Sequence, residues 1–218
     1  MKEPLINILT RTSNRPNGFR NNRYSITKQT YKNIKHIVCY DDGKTKDYLL
    51  DYDDITMVSI NRELLIAQDK SKIPGIQWRL PHNLYFNELH KEVEEGWVLF
   101  LDDDDSYRDE TVIQTIVDNL PNEDDILIWQ MIMPNGSFVP DSTTMNAKRI
   151  PIISNIGTPC FAVHSKHLHK VYWDGWRAAD FRFFDRVCNV TNNVKFLTEG
   201  LVIINQVGLG NKKDIQIK

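Results

Sequence analysis

Short apolar runs alternate with polar segments along the first ~135 residues of the chain. Leu5 to Leu9, His36 to Tyr40, Ile55 to Ile60, Trp97 to Leu101 and Ile126 to Met133 read as strands. Trp97 to Leu101 has no interrupting polar residue, which suits a strand covered on both faces, as in a parallel sheet. Helical spacing separates several of them. Tyr85, Leu89 and Val93 recur every four residues within Asn83 to Glu95, and Gly96 is expected to close that helix. Val112, Ile113, Ile116, Val117 and Leu120 make one apolar stripe, which Pro121 ends. Phe19 to Tyr31 is a further predicted helix, and Pro134-Asn135-Gly136 a turn. This alternation predicts an α/β domain built as a doubly wound sheet. Asn61 to Pro81 carries no clear period and reads as a long functional loop. Beyond residue 135 the pattern weakens. His164 to Tyr172 reads as a helix. Asp180 opens a short one with Phe181, Phe184, Val187 and Cys188 on one face, and Phe196 to Asn205 contains the last strand. The basic tail, Gly208 to Lys218, is expected to fray.

The polar residues gather where these strands end. Trp97 to Leu101 runs directly into Asp102, Asp103, Asp104 and Asp105. Adjacent carboxylates oppose one another's ionisation unless a positive group neutralises them. A hard divalent cation, Mg²⁺ or Mn²⁺, does so with oxygen ligands, and open α/β sheets bind ligands at the carboxyl ends of their strands. The plainer reading is a solvated acidic turn that caps the next helix. His36 to Tyr40 likewise ends in Asp41-Asp42-Gly43, and the first strand leads into the donor-rich loop Thr10 to Gly18. No Gly-x-Gly-x-x-Gly follows that strand, so the dinucleotide fingerprint is missing.

Composition narrows the class. The 218 residues suffice for one sizeable domain, and 41% hydrophobic with 26% charged residues is ordinary for a globular protein. A net charge of -2 gives no reason to expect nucleic acid as partner. No run approaches the ~20 apolar residues of a membrane span. Cys39, Cys160 and Cys188 are odd in number and far apart, which suits free thiols in a reducing, cytoplasmic compartment.

Four segments in order resemble the family-2 glycosyltransferases. Thr12-Ser13-Asn14-Arg15-Pro16 is similar to that family's Thr-x-Asn-Arg-Pro opening. Ile37 to Gly43 resembles its strand ending in Asp-Asp-Gly, and Leu99 to Asp105 its Phe-Leu-Asp-x-Asp-Asp. Ala179 to Val187 resembles its Glu-Asp-x-x-x-x-x-Arg-Leu segment, with Ala179 where Glu is frequent. The likeness spans residues 5 to about 190. It implies a GT-A fold, a Rossmann-like mixed central sheet flanked by helices, as a single domain. Residues 1 to about 135 would bind the nucleotide-sugar, about 136 to 205 the acceptor, and 206 to 218 would be tail. It implies a UDP-sugar donor, a glycan or glycoconjugate acceptor and a Mn²⁺ or Mg²⁺ cofactor. Asp41 or Asp42 would meet the uracil ring, with the backbone of Thr10, Arg11 and Thr12 lining it. Arg15 would reach a phosphate, Asn87 falls near a position where the family often has Asn, and Asp103 would orient the turn on the nucleotide side. Asp102 and Asp104 would hold the metal with Asp105 beside them, and Asp180 would be the general base. The chain is short for this family, which leaves it open to being one domain of a larger polypeptide.

Several assignments have plain alternatives. Asp180 is also a suitable helix cap, and Asp174 is the backup base. Asp185 is expected at the surface or on Arg186. His164, His167 and His169 lack the Cys or acid that would complete a zinc set, so packing or solvent is the better reading. Trp173 and Trp176 suit either a sugar face or the core. A nucleotidyltransferase also sets acids around Mg²⁺, but would carry a Gly-rich phosphate loop where this chain has only Gly18. A binding module that has lost catalysis is the third reading.

Overall fold

The computed structural model describes residues 3–205 and Asp214. Among these residues nine strands form one mixed sheet: β1 (Ile6–Arg11), β2 (Ile34–Tyr40), β3 (Ile55–Ser59), β4 (Trp97–Phe100), β5 (Ser106–Tyr107), β6 (Ile126–Ile132), β7 (Phe138–Val139), β8 (Phe161–His164) and β9 (Val194–Ile203). The helices are α1 (Pro16–Thr27), α2 (Gly43–Leu49), α3 (Arg62–Gln68), α4 (Tyr85–His90), α5 (Val112–Asp118), α6 (Ser142–Asn146) and α7 (Ala179–Cys188). The strand order is β3-β2-β1-β4-β8-β6-β9-β5, with β7 paired to β6. Strands β3, β2, β1 and β4 run parallel, as the unbroken apolar run of β4 predicts for its own strand, while β8 lies antiparallel between β4 and β6.

Side chains of β4 alternate between the two faces of the sheet. Val98 and Phe100 join Leu9, Ile37, Phe86, Phe161, Trp173 and Phe183 on one side. Trp97, Leu99 and Leu101 join Ile6, Ile8, Val112, Ile113 and Ile116 on the other. Cys39 and Cys160 are free thiols inside this core. No helix among the described residues is long and apolar enough to cross a membrane.

Several local expectations change. Asn83 to Glu95 is a 3-10 turn over Pro81–Leu84 followed by the short α4, and Gly96 does not cap that helix. Gly96 has φ +90° and leads directly into β4, where a Cβ would stand 2.4 Å from the Leu5 carbonyl oxygen. The supposed loop Asn61 to Pro81 contains α3, whose N-cap Asn61 accepts from the Leu64 amide at 3.0 Å. His164 to Tyr172 is 3-10 helical over Ser165–Lys170. On α7 the fully buried phenylalanines are Phe183 and Phe184, whereas Phe181 and Cys188 are only partly covered. Apart from Asp214, the tail lies outside the described residues.

Candidate active site

Register builds the centre of the site. Leu9 of β1 pairs with Phe100 of β4, so Arg11, two residues on, arrives beside Asp102. Arg11 Nε and Nη2 donate to Asp102 Oδ1 and Oδ2 at 2.8 and 2.6 Å. Its Nη1 donates to Asn83 Oδ1 at 2.8 Å, and its guanidinium lies 4.3 Å from the centre of the Phe86 ring. Burial opposes the charge on Asp102, but Arg11 overcomes that penalty and holds the carboxyl below its usual range.

The rest of the acid run is tied into the fold. Arg15 Nη1 lies 3.0 Å from both Asp103 Oδ1 and Asp104 Oδ2. Among the described residues Arg15 Nε has no hydrogen-bond partner, and Nη1 meets the two carboxylates as an ion pair only. Asp103 is fully buried, and burial, with repulsion from Asp104 and Asp102, pushes its carboxyl up to about 7 against Arg15 and Thr12. Asp104 is likewise raised, first by burial. Asp105 is raised further by burial and by its acidic neighbours, and it accepts from the Asn205 amide at 3.3 Å. Asn22 of α1 donates to the carbonyls of Asp102 and Asp105, and Asn205 donates to that of Asp104. Gly18 lets the first turn of α1 approach the Asp103 carbonyl, where a Cβ would come to 3.1 Å. Asp214 accepts from the amides of Asn17 and Gly18 at 2.9 and 2.8 Å, a favourable place for a carboxylate at the start of a helix.

Of the other sequence-predicted residues, Thr10 and Thr12 border this turn, while Asp41, Asp42 and Asn87 have their side-chain partners elsewhere. Thr10 is buried and donates to the Leu101 carbonyl, and Thr12 Oγ1 is 2.6 Å from Tyr48 Oη. Asp41 Oδ2 accepts from Tyr85 Oη at 2.6 Å. Asp42 Oδ1 caps α2 through the Thr45 amide at 2.8 Å. Asn87 spends both ends of its amide on the backbone of Trp173, donating to the carbonyl and accepting from the amide at 2.8 Å each. The asparagine that meets Arg11 is Asn83, which no motif or spacing in the sequence singles out.

The loop before α7 closes the site from the other half. Asn83 Nδ2 donates to the Trp176 carbonyl at 3.1 Å, the Leu80 amide to Gly175 at 2.8 Å, and the Arg177 amide to Trp78 at 3.0 Å. The aperiodic stretch before Pro81 is thus the partner of the aromatic loop. Trp173 is core, stacked on Phe183 with ring centres 4.4 Å apart. Trp176 is half-buried, with Arg79 over its ring. Asp180 follows in the first turn of α7. The cap position belongs to Ala178, in the left-handed region at φ +60°, so Asp180 is not the N-cap. Burial raises the Asp180 carboxyl, while the Phe181 amide, Arg11 and Arg182 stabilise its ionised form. Asp174 is differently placed. It is fully buried and accepts from Arg182 at 2.8 and 2.6 Å and from Arg186 at 3.1 Å. That makes it a structural anchor rather than a reserve base. Arg186 is therefore committed to Asp174, and Asp185 is exposed. His167 is buried with Nε2 2.9 Å from the Glu123 carbonyl, as a packing histidine.

Among the described residues no three His, Cys, Asp or Glu side chains are disposed to hold a metal ion by themselves. The donors present fit a hard cation in another way. Four carboxylates face two guanidiniums: Asp102 is paired with Arg11, Asp103 and Asp104 share Arg15, and burial with mutual repulsion opposes ionisation of Asp104 and Asp105, which a cation would relieve. Mg²⁺-type ions are often held by one or two carboxylates while substrate oxygens complete the shell.

No family model and no curated protein matches the chain. Solved structures do. The crystal structure of S. aureus TarS superposes with a TM-score of 0.68 at 16% identity, over 92% of this chain and 36% of that one. TarS 1-349 in complex with UDP gives 0.67 at 17% identity, over 91% and 60%. Its complex with UDP-GlcNAc gives 0.64 at 15% identity, over 98% and 59%. The chain thus spans about a third of the longer TarS chain and about three fifths of the shorter. The likeness is one of architecture, and the curled mixed sheet flanked by helices is the GT-A fold of glycosyltransferases.

Proposed function

We propose that this chain transfers a sugar from a UDP-sugar to a hydroxyl of a glycan or glycoconjugate, with inversion at the anomeric carbon. The observation that carries this reading is the chain of contacts from Asp102 through Arg11 and Asn83 to Trp176, four residues before Asp180. It ties the acid turn of the first half to the start of α7 in the second, in a fold shared with a protein solved with UDP and UDP-GlcNAc. Asp41 takes the base. Arg15, whose Nε is buried without a hydrogen-bond partner among the described residues, meets phosphate oxygens. Asp104, assisted by Asp102, holds the divalent cation. When bound there, Mn²⁺ or Mg²⁺ supplies Lewis-acid stabilisation of the charge developing on a departing diphosphate. Asp180 accepts the proton of the attacking hydroxyl, which calls for an ionised carboxylate within hydrogen-bond reach of the acceptor.

The test is thermal shift with UDP, ADP and GDP, each with and without Mn²⁺, followed by a screen of UDP-sugars for hydrolysis. A UDP-selective, Mn²⁺-dependent rise in Tm is expected. An equal response to all three nucleotides, or to none, would sink the reading.

A further inference from the structure

The two acids that end β2 have different fates. Asp42 caps α2. Asp41 is met by Tyr85, the first residue of α4, through a 2.6 Å hydrogen bond to Oδ2. Tyr85 is only 3% exposed, and its ring belongs to the core that also holds Ile37, Cys39 and Phe86. Packing therefore fixes where its hydroxyl stands, and the hydroxyl in turn fixes the plane of the carboxylate. The other oxygen, Asp41 Oδ1, is buried with no hydrogen-bond partner among the described residues. A buried acceptor without a donor is costly, so this atom calls for a ligand that brings an N–H.

We infer that Tyr85 is a specificity-determining positioning residue: by holding Oδ2 of Asp41 it presents Oδ1 as an oriented acceptor for a ring imide N–H. Uracil offers such a group at N3, between two carbonyls. Cytosine in the same pose offers a lone pair at N3, which Oδ1 repels. A site built to satisfy a buried polar group discriminates strongly against a ligand that leaves it unpaired. Without the Tyr85 hydroxyl the carboxylate is free to turn and accept from the exocyclic amino group of cytosine. Selectivity then falls, even though Asp41 remains. The inference rests on the nucleotide-sugar reading above.

The experiment is calorimetric titration of UDP and CDP, with Mn²⁺, into wild type, Tyr85→Phe and Asp41→Asn. The Tm of each apo protein is measured alongside to establish folding. Wild type is expected to bind UDP at least about tenfold more tightly than CDP. Tyr85→Phe is expected to weaken UDP by about three- to tenfold, the scale of one hydrogen bond, and to shrink the UDP/CDP ratio by a similar factor. Asp41→Asn, whose amide presents either an acceptor or a donor, shrinks the ratio too. A folded Tyr85→Phe protein that keeps the wild-type ratio overturns the role of Tyr85. If Tyr85→Phe does not fold, an unchanged ratio in Asp41→Asn overturns the inference instead. Wild type without preference for UDP over CDP overturns the uracil reading itself.

Discussion

Arg11 at the end of β1 and Asp102 just past β4 form a two-pronged ion pair, Nε to Oδ1 at 2.8 Å and Nη2 to Oδ2 at 2.6 Å. Their side chains are 11% and 23% exposed, so the pair is largely removed from water. Removing one member of such a pair strands the other, which is worse than removing both. Arg11→Met is expected to lower stability by about 3 kcal/mol, the lower end for a buried pair because Asp102 keeps some solvent. The double variant Arg11→Met/Asp102→Asn should lose clearly less than the sum of the two single changes. Urea denaturation of the four proteins measures this. Additivity to within about 0.5 kcal/mol would show that the pair is not coupled.

Asp180 and Asp174 lie six residues apart and should respond oppositely to loss of charge. Asp180→Asn is expected to keep UDP binding and the fold while transfer drops by about 10²–10⁴-fold. Because burial raises its carboxyl, wild-type activity should fall as pH drops toward a pKa above the ordinary carboxylate value, where the base becomes protonated. Steady-state rates against pH give both numbers. An Asp180→Asn protein with undiminished transfer removes Asp180 from the mechanism.

Asp174→Asn should instead unfold the neighbourhood. The variant leaves Arg182 and Arg186 without the carboxylate they share and weakens the link to the Trp176 amide at 3.2 Å. A loss of about 3–5 kcal/mol is expected, as for other broken buried pairs. Denaturation followed by tryptophan fluorescence reads it. A Tm within a degree or two of wild type would contradict the anchoring role.

His90 makes stability depend on acid. Its ring lies against Phe100 and Phe183, at 5.9 and 5.6 Å between centres, and Nε2 is buried without a hydrogen-bond partner among the described residues. Burial lowers its pKa to about 3. The unfolded state therefore binds a proton that the folded state refuses. The contribution is complete above pH ~6.5 and is lost as pH falls toward 3. His82, lowered by burial and by Arg11 to about 4, acts in the same direction. His90→Leu should flatten the fall in Tm between about pH 6.5 and pH 4 relative to wild type. Parallel Tm curves for the two proteins would rule out His90 as a source of the acid sensitivity.

Much of the frame is legible in the amino-acid order. The strands β1, β2, β3, β4 and β6 announce themselves as short, mostly apolar runs between polar segments, and β4 most clearly because a strand buried throughout has no place for an interrupting charge. That the acids Asp41 and Asp102 to Asp105 follow such strands is equally plain, since chain order alone puts a residue at the end of an element. The helix of Asp180 is readable from its apolar spacing. The short pieces are not. β5 and β7 have two residues each, and α3 buries none of its own, so none of the three leaves a periodic trace.

Tertiary structure decided which partner each charge has. Asp102 meets Arg11 across 91 positions of sequence because β1 and β4 lie side by side in one register. Asn83 and Trp176, 93 positions apart, meet because the stretch before Pro81 folds against the loop before α7. The same assembly separates Asp174, enclosed by two arginines, from Asp180, which no local feature of the sequence distinguishes as firmly. It also divides Asp41 from Asp42, one turned toward Tyr85 and the other onto α2. The physical reason is the same in each case. Burial and periodicity are local and recur along the chain, so they can be read in order. The charge state and orientation of a carboxylate depend on what the fold brings within a few ångströms of it, from segments that sequence holds far apart.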